Sequence, residues 1–571
     1  MSKRQLKIIK ILILLGSILA AVKIVFVDYS LDEEYQIVMA YRRLYGDALF
    51  DTMWEPHQTS AFLCVFFMRI YHALIGSYTG VLIYLRICTL LIQIGLSVWI
   101  YRAFRRLLDG DQAFFLAMIY FNTVPKLIQI PEFGNMQVWF WTVILLSLME
   151  YDMHPKFSGN RGWILLSGVA MALEVLSYPA TLLLFPFFLG YLFLHAKEKK
   201  WVDPLVFAFT CAACATIWLI AVLSKVPLAE FMENVHFVLE FDLTHDLDVT
   251  ENSKLLILGE GLLEELMFLA IGAFVAGGIL LFAKRVFGKM KDYGRQETIL
   301  VFTILWICAE ECIQLFYWGI LQSGYQKPQV HLFAVQIVSF LIWRLAGNGK
   351  RVMLPGMLSG VLTLLAVLYM SDLGFWHAIP HALMGTICGL AVIVMACREQ
   401  LKDKANGWIA LLLISFVMTA IFGKGFTLRS GKANTVLGVG GVMHSGPAVG
   451  VFTDYMKAYI YNSNREDFAA NLEPGSKCLI VVRSVYSVET TSYLFDNYEV
   501  CHFSIVDPTS YDERLLAYWE RYPEKRPETI IVECWYGGLL EESDSWMMQY
   551  IEKEFGYSEV VDGKYVRFYK K

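Results

Sequence analysis

Residues 7–34 read KIIKILILLGSILAAVKIVFVDYSLDEE. The apolar run over 7–27 is long enough to cross a bilayer core of about 30 Å. No small-x-small cleavage site precedes Asp28, so the run reads as a retained first membrane span rather than a signal peptide. Three carboxylates then follow in a row, Asp32, Glu33 and Glu34. Ser30-x-x-Glu33 is a capping box, and Ile37, Val38, Tyr41, Leu44 and Tyr45 repeat at helical spacing. They predict an amphipathic helix over 31–45, ended by Gly46. A carboxylate in the first turn of a helix is favoured by roughly 0.3–1 kcal/mol, so a capped helix start accounts for Asp32 by itself. Its position at the bilayer edge opens a second reading, a reaction centre at the membrane surface.

The rest of the chain supports a membrane setting. It has 571 residues, 57% of them hydrophobic, and a net charge of -5 with no basic domain, which argues against a nucleic-acid partner. Apolar stretches recur at 7–27, 79–101, 112–130, 135–151, 162–177, 179–195, 204–223, 262–283, 298–318, 330–346, 352–371, 378–396 and 407–422. They predict an α-helical polytopic protein with about thirteen membrane helices. The basic clusters set the orientation. Lys3, Arg4 and Lys7, then Arg102, Arg105 and Arg106, and each later cluster through Arg398, Lys402 and Lys404 fall on the cytoplasmic side if the count holds. Residues 60–76 would break that pattern if they spanned, so they are expected to lie in the interface or dip in and return.

Domain organisation follows the composition. Residues 1–425 form the membrane part, with long outer loops at 28–78 and 224–261. Residues 426–571 are polar and mixed. Strand-like runs at 478–482, 499–506 and 529–533 alternate with helical patterns at 512–522 and 543–555, and a D-G turn marks a hairpin near the end. These features predict a small extracytoplasmic α/β domain. The eleven cysteines read as small apolar fillers.

Candidate functional residues gather on the outer side. The first loop closes with WEPHQ, which supplies Trp54, Glu55, His57 and Gln58. The second carries His236, Asp242, His245, Asp246 and Asp248, whose spacing fits no specific metal motif. Asp32, Glu33, His245 and Asp246 are the candidate ligands for a divalent cation. Glu310 and Glu311 fall inside an apolar run, where a charge is costly and faces protein or a cavity. For a bound phosphate the available cations are Arg86, Lys126, Lys225 and Lys327, the last beside His331, and a snorkelling role suffices for each. Tyr178-Pro179 breaks the run 162–195, and a tight turn suffices to explain it.

These features resemble the GT-C membrane glycosyltransferases, a group that includes protein O-mannosyltransferases and the lipid A aminoarabinose transferase. The likeness rests on the first span followed by "DEE" in a long external loop, the W-E-P-H-Q segment closing that loop, about thirteen spans and an external C-terminal domain. Ser177-Tyr178-Pro179 is a weaker echo. The resemblance implies a polyprenyl-phosphate-linked sugar donor and an acceptor arriving from outside: a lipid, a wall polymer or a protein. It implies that the acid at Asp32, or Glu33 beside it, acts near the acceptor hydroxyl as general base. Charge stabilisation of the leaving phosphate would come from a cation or from Mg or Mn. His57 would orient the acid or touch sugar hydroxyls, and Trp54 would stack on a sugar face. Location in a multi-pass cell membrane follows. A transporter or lipid-linked glycan flippase is the alternative from another class. It calls for repeat symmetry and a polar path through the spans, and the sequence displays neither. A lipid-glycan polymerase or ligase would place its large loop late in the membrane region, and a plain anchor would not need intramembrane acids.

Overall fold

The computed structural model describes residues 3–55, 57–153, 161–195, 200–244, 251–286, 293–317, 332–370, 375–428, 435–481, 499–500, 513–533 and 546–571. A first long helix, α1 (Lys3–Phe26), leads into α2 (Leu31–Leu44), and α3 (Phe62–Ile75) closes the first loop. One half of the capping box forms, the Ser30 N–H donating to the Glu33 carboxylate at 3.1 Å, and Gly46, at φ 103°, takes the left-handed conformation that ends α2. The bundle continues through α4 (Val81–Phe104), α5 (Gly110–Asn122), α6 (Phe133–Met153), α7 (Arg161–Ser177), α8 (Leu184–His195), α9 (Val202–Leu223) and α10 (Leu228–Thr244). It is completed by α11 (Glu251–Val286), α12 (Arg295–Gln314), α13 (Leu332–Leu341), α14 (Leu354–Met370), the single turn α15 (Phe375–Ala378), α16 (Leu383–Leu401) and α17 (Ala405–Phe426).

Each of the thirteen expected stretches contains a helix. Among the described residues, eight stretches are long and apolar enough to cross a membrane. One of the eight, Ile379–Phe426, holds both α16 and α17. α5 falls short with 13 residues, about 20 Å at 1.5 Å per residue. Gln58–Ile75, expected in the interface, is long and apolar enough by length and composition. The expected second outer loop is largely helix instead, with α10 covering Leu228–Thr244 and α11 starting at Glu251.

α16 is the axis of the bundle, buried without interruption from Leu383 to Cys397. It meets α14 through a pair of glycines. A Cβ on Gly385 would stand 3.0 Å from the Gly360 Cα, so only two hydrogens separate the backbones there. Trp141 of α6 donates to Ser359 at 3.0 Å on the same surface. The acids of α12 are sealed inside: Gln314 Nε2 donates to Glu265 at 2.8 Å and also to Glu310.

Beyond α17 come the hairpin β1 (Val439–Val442) and β2 (Phe452–Asp454), α18 (Tyr455–Asn471) and a five-stranded sheet. The sheet comprises β3 (Lys477–Val481), β4 (Glu499–Val500), β5 (Thr529–Glu533), β6 (Glu559–Asp562) and β7 (Val566–Lys570), in the order β4-β3-β5-β7-β6. β3 pairs parallel with β4 and β5, while β7 pairs antiparallel with β5 and β6. β5 is buried at every residue, as a central strand covered on both faces should be. One cover is α18, where Phe468 meets Phe568 edge to face at 5.6 Å. The other includes α19 (Glu513–Arg521) and α20 (Trp546–Tyr550). The expected hairpin is β6–β7. The strand expected at 499–506 is seen only at Glu499 and Val500; the rest of it lies outside the described residues.

Candidate active site

The first loop is built around two buried guanidinium groups. Arg86 of α4 donates to both oxygens of Glu33, at 2.9 and 2.6 Å, and to the carbonyls of Val25 and Asp28 at 3.1 and 2.7 Å. It is 2% exposed, so it ties the end of α1 to the first turn of α2 and is not presented as an open phosphate contact. Arg42, 1% exposed, donates to Asp47 at 2.6 Å and also to Glu55 and the Thr52 carbonyl. Burial pushes the Glu55 carboxyl up, against the pull of Arg42. Burial also opposes the Arg42 charge, but Glu55 and Asp47 outweigh it and raise that pKa. Arg42 stays charged, because a guanidinium does not give up its proton. Glu55 is therefore part of the loop's frame. The Gln58 amide oxygen accepts the Phe50 N–H at 2.9 Å.

The three acids of the first turn differ in their surroundings. Glu33 is clamped and Glu34 is fully buried, whereas Asp32 stays half-buried in the first turn of α2. One turn further along the same face, Gln36 accepts from Ser60 at 3.1 Å. Ser60 N–H in turn bonds the His57 carbonyl at 2.8 Å. His57 sits at φ 57°, a left-handed conformation that aims its ring inward. The ring stacks on Phe133 at 4.2 Å with 5° between planes, and lies 5.1 Å from Tyr178. Tyr178 is 5.8 Å from His381, whose Nδ1 is 3.1 Å from Gln137. Gln137 Nε2 is 3.4 Å from Glu174.

His57 and Tyr178, both predicted, thus belong to one polar cluster. Glu132, Asn135, Gln137, Glu174 and His381 join it and were missed. Glu132 caps α6, accepting from the N–H groups of Gly134 and Asn135 at 2.7 Å each. A Cβ at Gly134 would stand 2.8 Å from His381 and 2.9 Å from Glu132, so glycine lets the three approach. The available signals were a lone acid in the apolar run MALEVLSYP and Pro-flanked polar residues in PEFGN and IPHA.

An apolar cavity of about 350 Å³ adjoins the cluster: Thr59 and Pro179, chain neighbours of Gln58 and Tyr178, line it together with Leu176, Trp218 and Phe231. On another side stands the C-terminal domain. Trp54 meets Tyr518 edge to face at 6.1 Å. Asp51 accepts from Arg521 at 2.9 Å and Tyr522 at 2.6 Å, and Lys525 reaches Asp47 at 3.7 Å. At the base of the loop, Asp28 N–H bonds the Phe452 carbonyl at 2.8 Å, and Lys457 donates to the Tyr29 carbonyl.

Of the remaining candidates, Lys126 lies on the short turn Pro125–Leu127, and His245, Asp246, Lys327 and His331 lie outside the described residues. Both Glu33 oxygens accept from Arg86, and the Ser30 N–H bonds one of them at 3.1 Å. Among the described residues no group of three or more His, Cys, Asp or Glu side chains could hold a metal ion.

No protein-family model matches the sequence, and no curated protein matches it either. Among solved structures the chain is similar to ArnT from Cupriavidus metallidurans bound to undecaprenyl phosphate. The identity there is 13%, with 100% of this chain and 98% of that one covered and a TM-score of 0.43. It is also similar to the oligosaccharyltransferase AglB from Archaeoglobus fulgidus in complex with an inhibitory peptide and a dolichol-phosphate. The identity there is 10%, with 92% of this chain and 69% of that one covered and a TM-score of 0.41. A structure of the Archaeoglobus fulgidus oligosaccharyltransferase in complex with Zn and sulfate is similar at 11% identity, covering 91% of this chain and 67% of that one, TM-score 0.39. The neighbours are GT-C glycosyltransferases. At these TM-scores the likeness carries no residue roles.

Proposed function

We propose that the chain is an integral membrane glycosyltransferase. It moves a sugar from a polyprenyl-phosphate-linked donor to an acceptor hydroxyl at the outer face of a cell membrane. The observation that carries this reading is a polar cluster beside an apolar cavity, with the half-buried Asp32 one helical turn from Gln36, which bonds Ser60 of the same loop. A donor with a sugar-phosphate head and an isoprenoid tail has the same two-part chemistry. The tail lies in the cavity beside Trp218 and Phe231. The head meets His57, Tyr178 and the polar cluster beyond them.

Asp32 accepts the acceptor's proton as its oxygen attacks the anomeric carbon, a contribution of typically 10²–10⁴-fold. What supports Asp32 over its neighbour is that both Glu33 oxygens accept from Arg86, while Glu34 is completely buried. A divalent cation, where used, would act on the leaving phosphate, with Lys126 and Lys327 as the alternative cations.

Transfer of radiolabelled sugar from a panel of polyprenyl-phosphate sugars tests the reading, with wild type beside Asp32→Asn. Donor consumption by wild type and loss of at least about 10²-fold in the variant, at equal yield of folded protein, is the expected result. Undiminished transfer by Asp32→Asn removes Asp32 as the base. No consumption of any donor by folded protein, with metal and acceptors supplied, removes the enzyme.

A further inference from the structure

A second groove lies at the opposite end of α1 from the first loop. It runs between α1, α4 and α5 and encloses about 620 Å³. Lys10, at its rim, is 17 residues from Val27, about 25 Å along the helix. Most of the wall is apolar, with Leu14, Ile18, Val98 and Phe121 among its residues, and one end is polar, with Lys10, Arg105 and Asp111. The α1 sequence has the same division. Lys3, Lys7, Lys10, Leu14 and Ile18 recur every three or four residues and share one face. Their order along the face is three cations and then two aliphatic side chains.

Basic residues at the end of a span orient any membrane protein, so the charges alone make no site. The groove is the additional feature. From Lys10 at its polar end to Ile18 the groove extends eight residues along α1, about 12 Å, against about 15 Å for half of a bilayer core of about 30 Å. An acyl chain of a single leaflet fits that depth, whereas a polyprenyl chain runs far past it. At the rim, Lys10 pairs with Asp111 at 2.6 Å and Arg105 lies over the Tyr101 ring at 6.0 Å. Arg105 and Lys7 have no ion-pair partner among the described residues. Two cations and one carboxylate line the rim, a net charge of +1, which complements a single phosphodiester.

We propose that this groove binds one anionic phosphodiester phospholipid of the bilayer. Its phosphate lies against Lys10 and Arg105, and one acyl chain lies along Leu14, Ile18 and Phe121. The site is independent of the glycosyl-transfer reading, being at the far end of the helix and sharing no residue with the cluster around His57.

Native mass spectrometry of the detergent-purified full chain tests it, with phosphatidylglycerol, phosphatidylethanolamine or a polyprenyl phosphate added at equal concentration. One bound phosphatidylglycerol is expected, in preference to the other two. The double variant Lys10→Gln, Arg105→Gln should bind it roughly thirtyfold more weakly, for two basic residues at a membrane surface. Val98→Trp, which fills the apolar wall and leaves every charge in place, should also lower the occupancy. Equal retention of phosphatidylethanolamine, preference for the polyprenyl phosphate, or unchanged phosphatidylglycerol binding in either variant would overturn the proposal.

Discussion

Arg86 and Arg42 are the residues on which the first loop depends most. Removing one member of a buried ion pair costs about 3–5 kcal/mol, since the other charge is left without compensation. Arg86→Met should therefore lower the stability of the detergent-purified protein by about that much, and adding Glu33→Gln should return part of it. A thermal-unfolding double-mutant cycle measures the coupling; an additive cycle would separate the two residues. Arg42→Lys should also destabilise, because one ammonium cannot meet Asp47, Glu55 and the Thr52 carbonyl in the geometry that the planar guanidinium does. At this scale the acidic first turn was visible in the sequence, but its division of labour was not. Glu33 and Arg86 are 53 positions apart, and nothing local marks one carboxylate of three as the clamped one.

The helices that form the bundle were legible as apolar runs, because lipid and protein core demand the same residue types. Their ends and lengths were not, since packing against neighbours sets where a helix stops. That is why a stretch expected as a full span holds only the 13 residues of α5; the second outer loop holds α10. The α14–α16 crossing is decided by glycines whose pairing is tertiary. Gly385→Val would drive a side chain into the Gly360 backbone and should cost about 1–3 kcal/mol as overpacking; the same unfolding assay checks it. Gly134→Ala carries a site-specific version. Its Cβ would displace His381 or Glu132, so sugar transfer should fall by more than stability does. Equal small losses in both would make Gly134 an ordinary packing residue.

Across the whole molecule, the C-terminal domain packs against the first loop through Trp54, Asp51 and the α19 side chains, as well as following it in the chain. Trp54→Ala should remove the central aromatic contact, at roughly 2 kcal/mol for a buried interface anchor. Loosened docking would appear as faster limited proteolysis after Phe426 with the membrane bundle intact. Unchanged cleavage would show that the polar contacts of Asp51 and Lys525 suffice.

Composition and periodicity by themselves determined a helical membrane bundle, a capped acidic helix start after the first span and a C-terminal domain of mixed strands and helices. These properties follow from local rules: the apolar length that matches a bilayer, the spacing that makes one helix face, the turn residues that end an element. Only the tertiary structure decided that His57 stacks on Phe133, that Tyr178 meets His381, and that Glu132, Gln137 and Glu174 gather beside them. Those residues come from helices far apart in the chain. Their polarity is conspicuous only once an apolar bundle surrounds them and leaves each to find its partner among the others.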